Sequence, residues 1–269
     1  MPDFVYNWPL WITGILLTAL FVGVAAIAVV VRRRLFPLPA TGDGDGEFTA
    51  TMVHSMMVFY ALVAALIAVG VWERHADVAT SVTGEATALL ALYRDVSDYP
   101  EPARTQLRDA IRAYTEQIIH EAWPQQRRGI VPSGGVARVD RIQELLLPFE
   151  PTTDGQKLLH GETLRQYDAM VDARHHRVDA NHERLPGMMW WVDIVGGILC
   201  LVGASLFRVE RAGFHIVSAG LLAALMSMIL FMTLALERPY RGDLGIGAEA
   251  YELVVDHVMA PNSAAEHAR

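Results

Sequence analysis

Apolar residues are arranged along this chain in two textures. In four stretches, residues 10–31, 53–72, 188–207 and 214–236, they run almost without interruption. Each run matches the roughly 20 residues a helix needs to cross about 30 Å of hydrocarbon. Elsewhere the apolar positions recur every three or four residues, the period of an amphipathic helix. Nowhere do apolar and polar residues alternate over a useful length. The pattern predicts an all-α, four-span integral membrane protein with a helical extramembrane domain formed by extensions of spans two and three.

The second span has no natural end. Past Trp72, the positions Val78, Val82, Ala86, Leu89, Leu90 and Tyr93 keep the helical spacing, no Pro intervenes, and only Gly70 and Gly84 weaken the run. One rod is therefore expected to start in lipid and finish in water. A further helix opens at Pro100-Glu101-Pro102, because Pro is tolerated in a first turn. It carries Leu107, Ile111, Tyr114, Ile118 and Ile119 on one stripe and is expected to stop at Trp123-Pro124. A shorter helix over 136–147, the turn "PFEPTTDGQ" and a long helix over 156–185 lead to Pro186-Gly187. The resulting layout is a first span with its loop (1–52), the second span with its extension (53–97), a helical domain (98–187), spans three and four (188–236), and a C-terminal turn, short helix and tail (237–269). The loop contains "GDGDGE", which lacks the further oxygen ligands and closing Glu of a calcium loop and reads as a linker.

Composition and charge narrow the class. Apolar residues make up 52% of the 269, and the formal charge of −8 argues against a nucleic-acid partner. The residues before the first span, "MPDFVYNWP", carry no Lys or Arg, so that span does not read as a cleaved signal peptide. The single cysteine, Cys200, lies inside a span and forms no disulfide framework. Arg32, Arg33 and Arg34 follow span one, and Arg208 and Arg211 lie between spans three and four. Cytoplasmic loops are enriched in Lys and Arg, so these loops are expected inside and the helical domain outside. Arg74, Arg184, Arg238 and Arg241 flank the membrane on the opposite side and argue the other way.

Several residue sets carry candidate chemistry. On the second span His54, Val58, Leu62 and Leu66 recur every four residues, and apolar rings of this kind gate pores by dewetting. Lipid-facing or helix-facing packing would use the same residues. Glu73 and Asp77, at i and i+4 where the span leaves the membrane, could ring a pore mouth and attract cations, or be solvated surface charge. Asp193, inside span three, would cost about 2.5–3.5 kcal/mol without water or a partner, which makes it a functional candidate; snorkelling to the interface is the alternative. His215, near the start of span four, is a weaker case of the same kind. On the long helix Asp168, Asp172, His175, Asp179 and His182 share one face. They could hold a metal, sense pH near neutrality or simply be hydrated. No Ser-His-Asp order, phosphate loop or CxxC appears, so neither an enzyme nor a cofactor is indicated.

Certain of these residues carry a family resemblance. Tyr60, Trp72, Glu85-Ala86, Leu92-Tyr93-Arg94, the Pro-Glu-Pro turn, Tyr114, and Glu121 with Trp123-Pro124 resemble the bestrophin-like domain family of bacterial membrane proteins. The closing segment "LERPYRGDLGIGAEAYE" is similar to that family's turn after its last span. A more distant similarity connects Trp72-Glu73 and Glu237-Arg238-Pro239-Tyr240 to the bestrophin channels, which are pentamers with four spans per subunit and a pore lined by the second. The chain departs from those channels in lacking their acidic calcium cluster, in placing Val58 and Leu62 where neck phenylalanines would fall, and in its arginine distribution. The resemblance implies a homo-oligomeric ion channel in a bacterial inner membrane. It would pass small monovalent ions, and Glu73 and Asp77 favour cations. A non-conducting sensor or scaffold, or a subunit of a proton-driven complex using Asp193, is the alternative expectation.

Overall fold

The computed structural model describes residues 9–35, 44–181, 185–207, 209–242 and 244–259. Among them there are helices and turns and no strands. The helices are α1 (Leu10–Leu35), α2 (Gly44–Asp95), α3 (Ala103–Gln117), α4 (Trp123–Arg127), α5 (Gly135–Leu146), α6 (Asp154–Asp179), α7 (Gly187–Ser205), α8 (Ala212–Leu236) and α9 (Glu249–Val254). Four of them, α1, α2, α7 and α8, are long and apolar enough to cross a membrane. The all-helical, four-span class read from the sequence therefore holds.

Helix α2 runs unbroken for 52 residues, more than twice the length a span requires. It also starts earlier than its apolar content suggests. The breakers Pro37 and Pro39 lie upstream in the sequence, and the hydroxyls of Thr51 and Ser55 donate to the carbonyls of Glu47 and Thr51 at 3.0 and 2.9 Å, so these polar side chains find their partners within the helix. Two further boundaries differ from expectation. After α3 the chain does not stop at Trp123-Pro124: a π-turn over Ile118–Ala122 leads directly into α4, where Pro124 falls in the first turn and no amide is missed. Helix α6 ends at Asp179 rather than near residue 185; beyond it the Asn181 side chain donates to the Ile130 carbonyl at 3.0 Å. Its start is fixed by a capping box, with Thr153 Oγ1 accepting from the Gln156 amide at 3.2 Å and Gln156 Oε1 accepting from the Thr153 amide at 3.4 Å.

The chain divides into two compact units, the boundary falling between Arg74 and His75 along α2. The first unit holds α1, the earlier part of α2, α7 and α8. Its core includes Phe21, Ala25, Tyr60, Ala64, Leu201 and Ala223. The second holds the remainder of α2, α3 to α6 and α9. Its core takes Val78, Val82, Leu89 and Leu92 from α2, the fully buried Leu107, Ile111 and Tyr114 from α3 and Ile118 from the π-turn after it, with Ile119 of the same sequence stripe packed partly buried against them.

Candidate functional site

In the first unit α2 packs on one side only. Val53, Tyr60, Ala64, Ile67 and Val71 are buried, on a helical repeat that faces the other spans. Close approach is possible because α7 has Gly196-Gly197 opposite Tyr60. A Cβ at Gly196 would lie 2.7 Å from Tyr60 Cδ2, and one at Gly197 would lie 3.1 Å from the Tyr60 hydroxyl. Away from that contact, His54, Val58, Leu62 and Leu66 are all exposed on the subunit, the last three at 55%, 59% and 65%. Four-residue steps drift by about 40° each on a helix of 3.6 residues per turn, so these four positions span about 120° of its surface. Glu73, at the end of this unit, is exposed too.

Asp193 is buried in the same unit, 1% exposed. Its Oδ1 accepts the Tyr60 hydroxyl at 3.2 Å, while Oδ2 has no partner among the described residues. It does not snorkel. The carboxyl is turned inward onto α2, and Tyr60 both packs against Gly196 and binds the acid. His215 is buried as well, with Nε2 3.1 Å from the Ala204 carbonyl. Trp190 Nε1 donates to Glu237 Oε1 at 3.2 Å within the membrane unit.

In the second unit, Asp77 and the α2 positions Thr80, Thr83 and Thr87 are exposed. The threonine hydroxyls bond to carbonyls four residues back, so this face is polar in composition yet needs no partner. An open groove of about 580 Å³, lined by Thr80, Thr83, Gly84, Thr87, Gln166 and Ala169, runs along it. The polar face of α6 is solvated: Asp168, Asp172, His175 and Asp179 are exposed, and His182 lies outside the described residues. His176 Nε2 lies 3.8 Å from Asp172, and no group of three metal-ligating side chains forms among the described residues.

The most connected polar group in this unit is one that sequence reasoning did not single out for chemistry. Glu85 on α2 and Arg177 on α6 are buried to 0% and 2% exposure. Arg177 Nε and Nη2 reach the two carboxylate oxygens at 2.6 and 3.3 Å. Tyr114 of α3 donates to Oε1 at 2.6 Å and Tyr251 of α9 to Oε2 at 2.8 Å, which fills all four acceptor positions of the carboxylate. The guanidinium also donates to Gln126 Oε1 at 2.7 Å and lies 5.9 Å above the Trp123 ring. Tyr240 closes the set by donating to the Arg177 carbonyl at 2.8 Å. Burial, and then the Glu85 charge, push the Tyr114 and Tyr251 phenols well above their usual range, so both remain donors. Burial opposes the Arg177 charge, but Glu85 and the two phenols hold it well above its ordinary value. A signal was present in the sequence: Glu85 continues the 4-3-4-3 repeat Val78, Val82, Glu85, Leu89, Leu92, and Arg177 ends the repeat Tyr167, Met170, Arg174, Arg177.

Glu85, Tyr114, Trp123 and the closing segment that supplies Tyr240 and Tyr251 are thus one three-dimensional cluster. A model of the Bestrophin-like domain matches residues 19–251. The chain belongs to the Bestrophin-like domain family. It is a multi-pass membrane protein of that family, carrying four apolar helices. No curated protein matches it. Among solved structures, it is similar to a crystal structure of a membrane protein at TM-score 0.62 and 9% identity, over 90% of this chain and 97% of that one. At that identity the likeness is one of fold.

Proposed function

We propose that this Bestrophin-like protein is an oligomeric ion channel, assembled with α2 of each copy around a shared axis. The observation that carries this reading is the one-sided packing of α2. Its buried side is satisfied within the subunit, while His54, Val58, Leu62 and Leu66 are left uncovered along the opposite side. Copies gathered on that side would form apolar rings at Val58, Leu62 and Leu66, of the kind that gate by dewetting, with the polar His54 ahead of them. Glu73 and Asp77 supply negative charge where the span ends, which favours small monovalent cations. The bestrophin resemblance suggests five subunits. Arg33 donates to the carbonyls of Val209 and Glu210, which supports placing the two arginine-bearing loops at the same membrane face. Under the positive-inside rule that arrangement favours a helical unit outside the cytoplasm of a bacterial inner membrane. Ion flux into liposomes carrying the purified oligomer tests the reading. Leu62→Ala should raise flux, and Glu73→Gln should shift the reversal potential toward anions. Correctly assembled protein with no flux at any pH would refute it.

One observation favours a second reading, a subunit of a proton-driven complex. Asp193 is buried with one oxygen lacking a partner among the described residues, as a proton-carrying acid would be. Loss of a pH-gradient-driven activity in Asp193→Asn, with assembly intact and passive ion flux absent in both forms, would support that reading over conduction.

A further inference from the structure

A cavity in the helical unit is shared by the π-turn, α4 and the closing segment that leads into α9. Its volume is about 580 Å³, the size of a small-molecule site. Its walls are built firmly. Trp123 and Tyr240 line it, are 3% and 2% exposed, and meet edge to face at 5.6 Å. The loop after Tyr240 is tied by the Ile246 amide donating to the Pro239 carbonyl at 2.7 Å and the Gly245 amide to the Gly242 carbonyl at 3.2 Å. A Cβ at Gly245 would stand 2.9 Å from the Tyr240 carbonyl carbon, so this turn closes only around a glycine.

Three charged side chains line the same cavity, Arg127 from α4 and Glu249 and Glu252 from α9. All three are exposed to it, and none has a hydrogen bond or ion pair among the described residues. The Glu249 carboxylate is folded back over the chain, into the place that a side chain at Gly247 would take. Glu252 follows one helical turn later, which sets the two acids about 5–6 Å apart at Cβ on one face of α9. The remaining lining includes the apolar Ile119, Pro124 and Ile246. Both signs of charge therefore face one space without pairing across it.

That lining selects among ligand chemistries. A bare metal ion would be opposed by Arg127, and no group of three metal-ligating side chains forms among the described residues. A simple anion would be opposed by the two acids, and a diamine would leave Arg127 unanswered. Two cationic centres and one carboxylate on an apolar stem answer all three groups. We infer that this cavity binds a basic α-amino acid of the lysine or ornithine type. Its two ammonium groups pair with Glu249 and Glu252, its carboxylate with Arg127, and its methylene stem lies along the apolar wall. Walls already fixed in place lower the ordering cost of binding. The site lies wholly in the helical unit and does not depend on whether the protein conducts ions.

Calorimetric titration of the full-length protein in detergent with L-lysine, at ionic strength held constant with sodium chloride, tests the inference. L-lysine should bind. Norleucine, which lacks the second ammonium group, and cadaverine, which lacks the carboxylate, should each bind at least tenfold more weakly. Arg127→Gln should weaken lysine at least tenfold and leave cadaverine bound no less tightly. Glu252→Gln should weaken lysine at least tenfold and bring it closer to norleucine. Gly247→Ala, whose methyl group takes the place of the Glu249 carboxylate, should weaken lysine as Glu249→Gln does. Glu116→Gln, an exposed acid on α3, should change nothing, and the Arg127 and Glu252 variants should melt with wild type when no ligand is present. Folded wild-type protein that binds neither L-lysine nor L-ornithine overturns the proposal. So does cadaverine bound as tightly as lysine, or lysine binding unchanged by both Arg127→Gln and Glu252→Gln.

Discussion

Replacing Arg177 by Met removes a guanidinium that holds both oxygens of a fully buried carboxylate. Glu85 would keep only the hydroxyls of Tyr114 and Tyr251, at 2.6 and 2.8 Å, with no countercharge. Breaking a buried pair from one side costs about 3–5 kcal/mol, because the remaining charge has neither water nor partner. Glu85→Gln strands the cation instead, leaving it Gln126 at 2.7 Å and the Trp123 face at 5.9 Å, at a comparable cost. The double variant carries no buried charge, and its amide still meets two hydroxyls that can rotate to donate or accept. Its cost should fall to about 1–3 kcal/mol, the range for imperfectly satisfied neutral groups. The single costs sum to about 6–10 kcal/mol, so the cycle predicts a coupling energy of at least about 3 kcal/mol. Amide exchange of the full-length protein in detergent, read as the free energy of opening in α3 and α6, measures this within the helical unit. Additive effects, or single variants that each cost under about 1 kcal/mol, would show that Glu85 and Arg177 do not hold these helices together.

Three further outcomes follow from the geometry. Gly196→Ala puts a methyl group 2.7 Å from Tyr60 Cδ2. It should lower stability in detergent by about 1–3 kcal/mol, the usual cost of overpacking, and a thermal melt checks it; Tyr60→Leu in the same chain should restore part of the loss. Partial burial lowers the affinity of His160 for its proton, and its Nδ1 lies 2.7 Å from the Tyr99 hydroxyl. The unfolded chain therefore binds more protons below about pH 6.5, so this group's contribution is complete above that value and is lost as the pH falls through it. His160→Asn should flatten the melting temperature between about pH 5 and 7; an unchanged slope assigns the pH dependence elsewhere. Tyr60→Phe removes the hydrogen bond that Asp193 accepts from the Tyr60 hydroxyl and should destabilise by about 1–3 kcal/mol, whereas Asp193→Asn should cost less, since the amide keeps a partner and carries no charge.

Much of the architecture was legible in the sequence because apolar runs of about 20 residues have few other uses. The stripe from Leu107 to Ile118, through α3 and into the π-turn, was legible for a similar reason, a clean helical period. The ends of helices were less so. Pro124 looked like a stop, yet the π-turn before it placed the ring where no amide is needed, an outcome of tertiary packing around Trp123. The start of α6 was read as part of a turn, because the Thr153–Gln156 capping box that fixes it at Asp154 lies inside the polar stretch "PFEPTTDGQ". The buried ion pair was missed because a lone Glu or Arg on a helix normally means a wet face. Only its place in an otherwise apolar repeat distinguishes Glu85 from Glu73. No local pattern could pair Glu85 with an arginine 92 positions away, or bring the tyrosines of the closing segment to the same carboxylate. Asp193 was legible as an anomaly, while its partner Tyr60 was not.

Thiol accessibility on α2 tests the central claim most directly. With Cys200 replaced by Ala, Leu62→Cys protein in planar bilayers should lose current when a charged, water-soluble thiol reagent is added. Leu221→Cys, exposed on α8, should not respond. Currents indifferent to modification at Leu62, or a Leu62→Cys thiol reached only by lipid-soluble reagents, would place this side of α2 against lipid instead of an ion path.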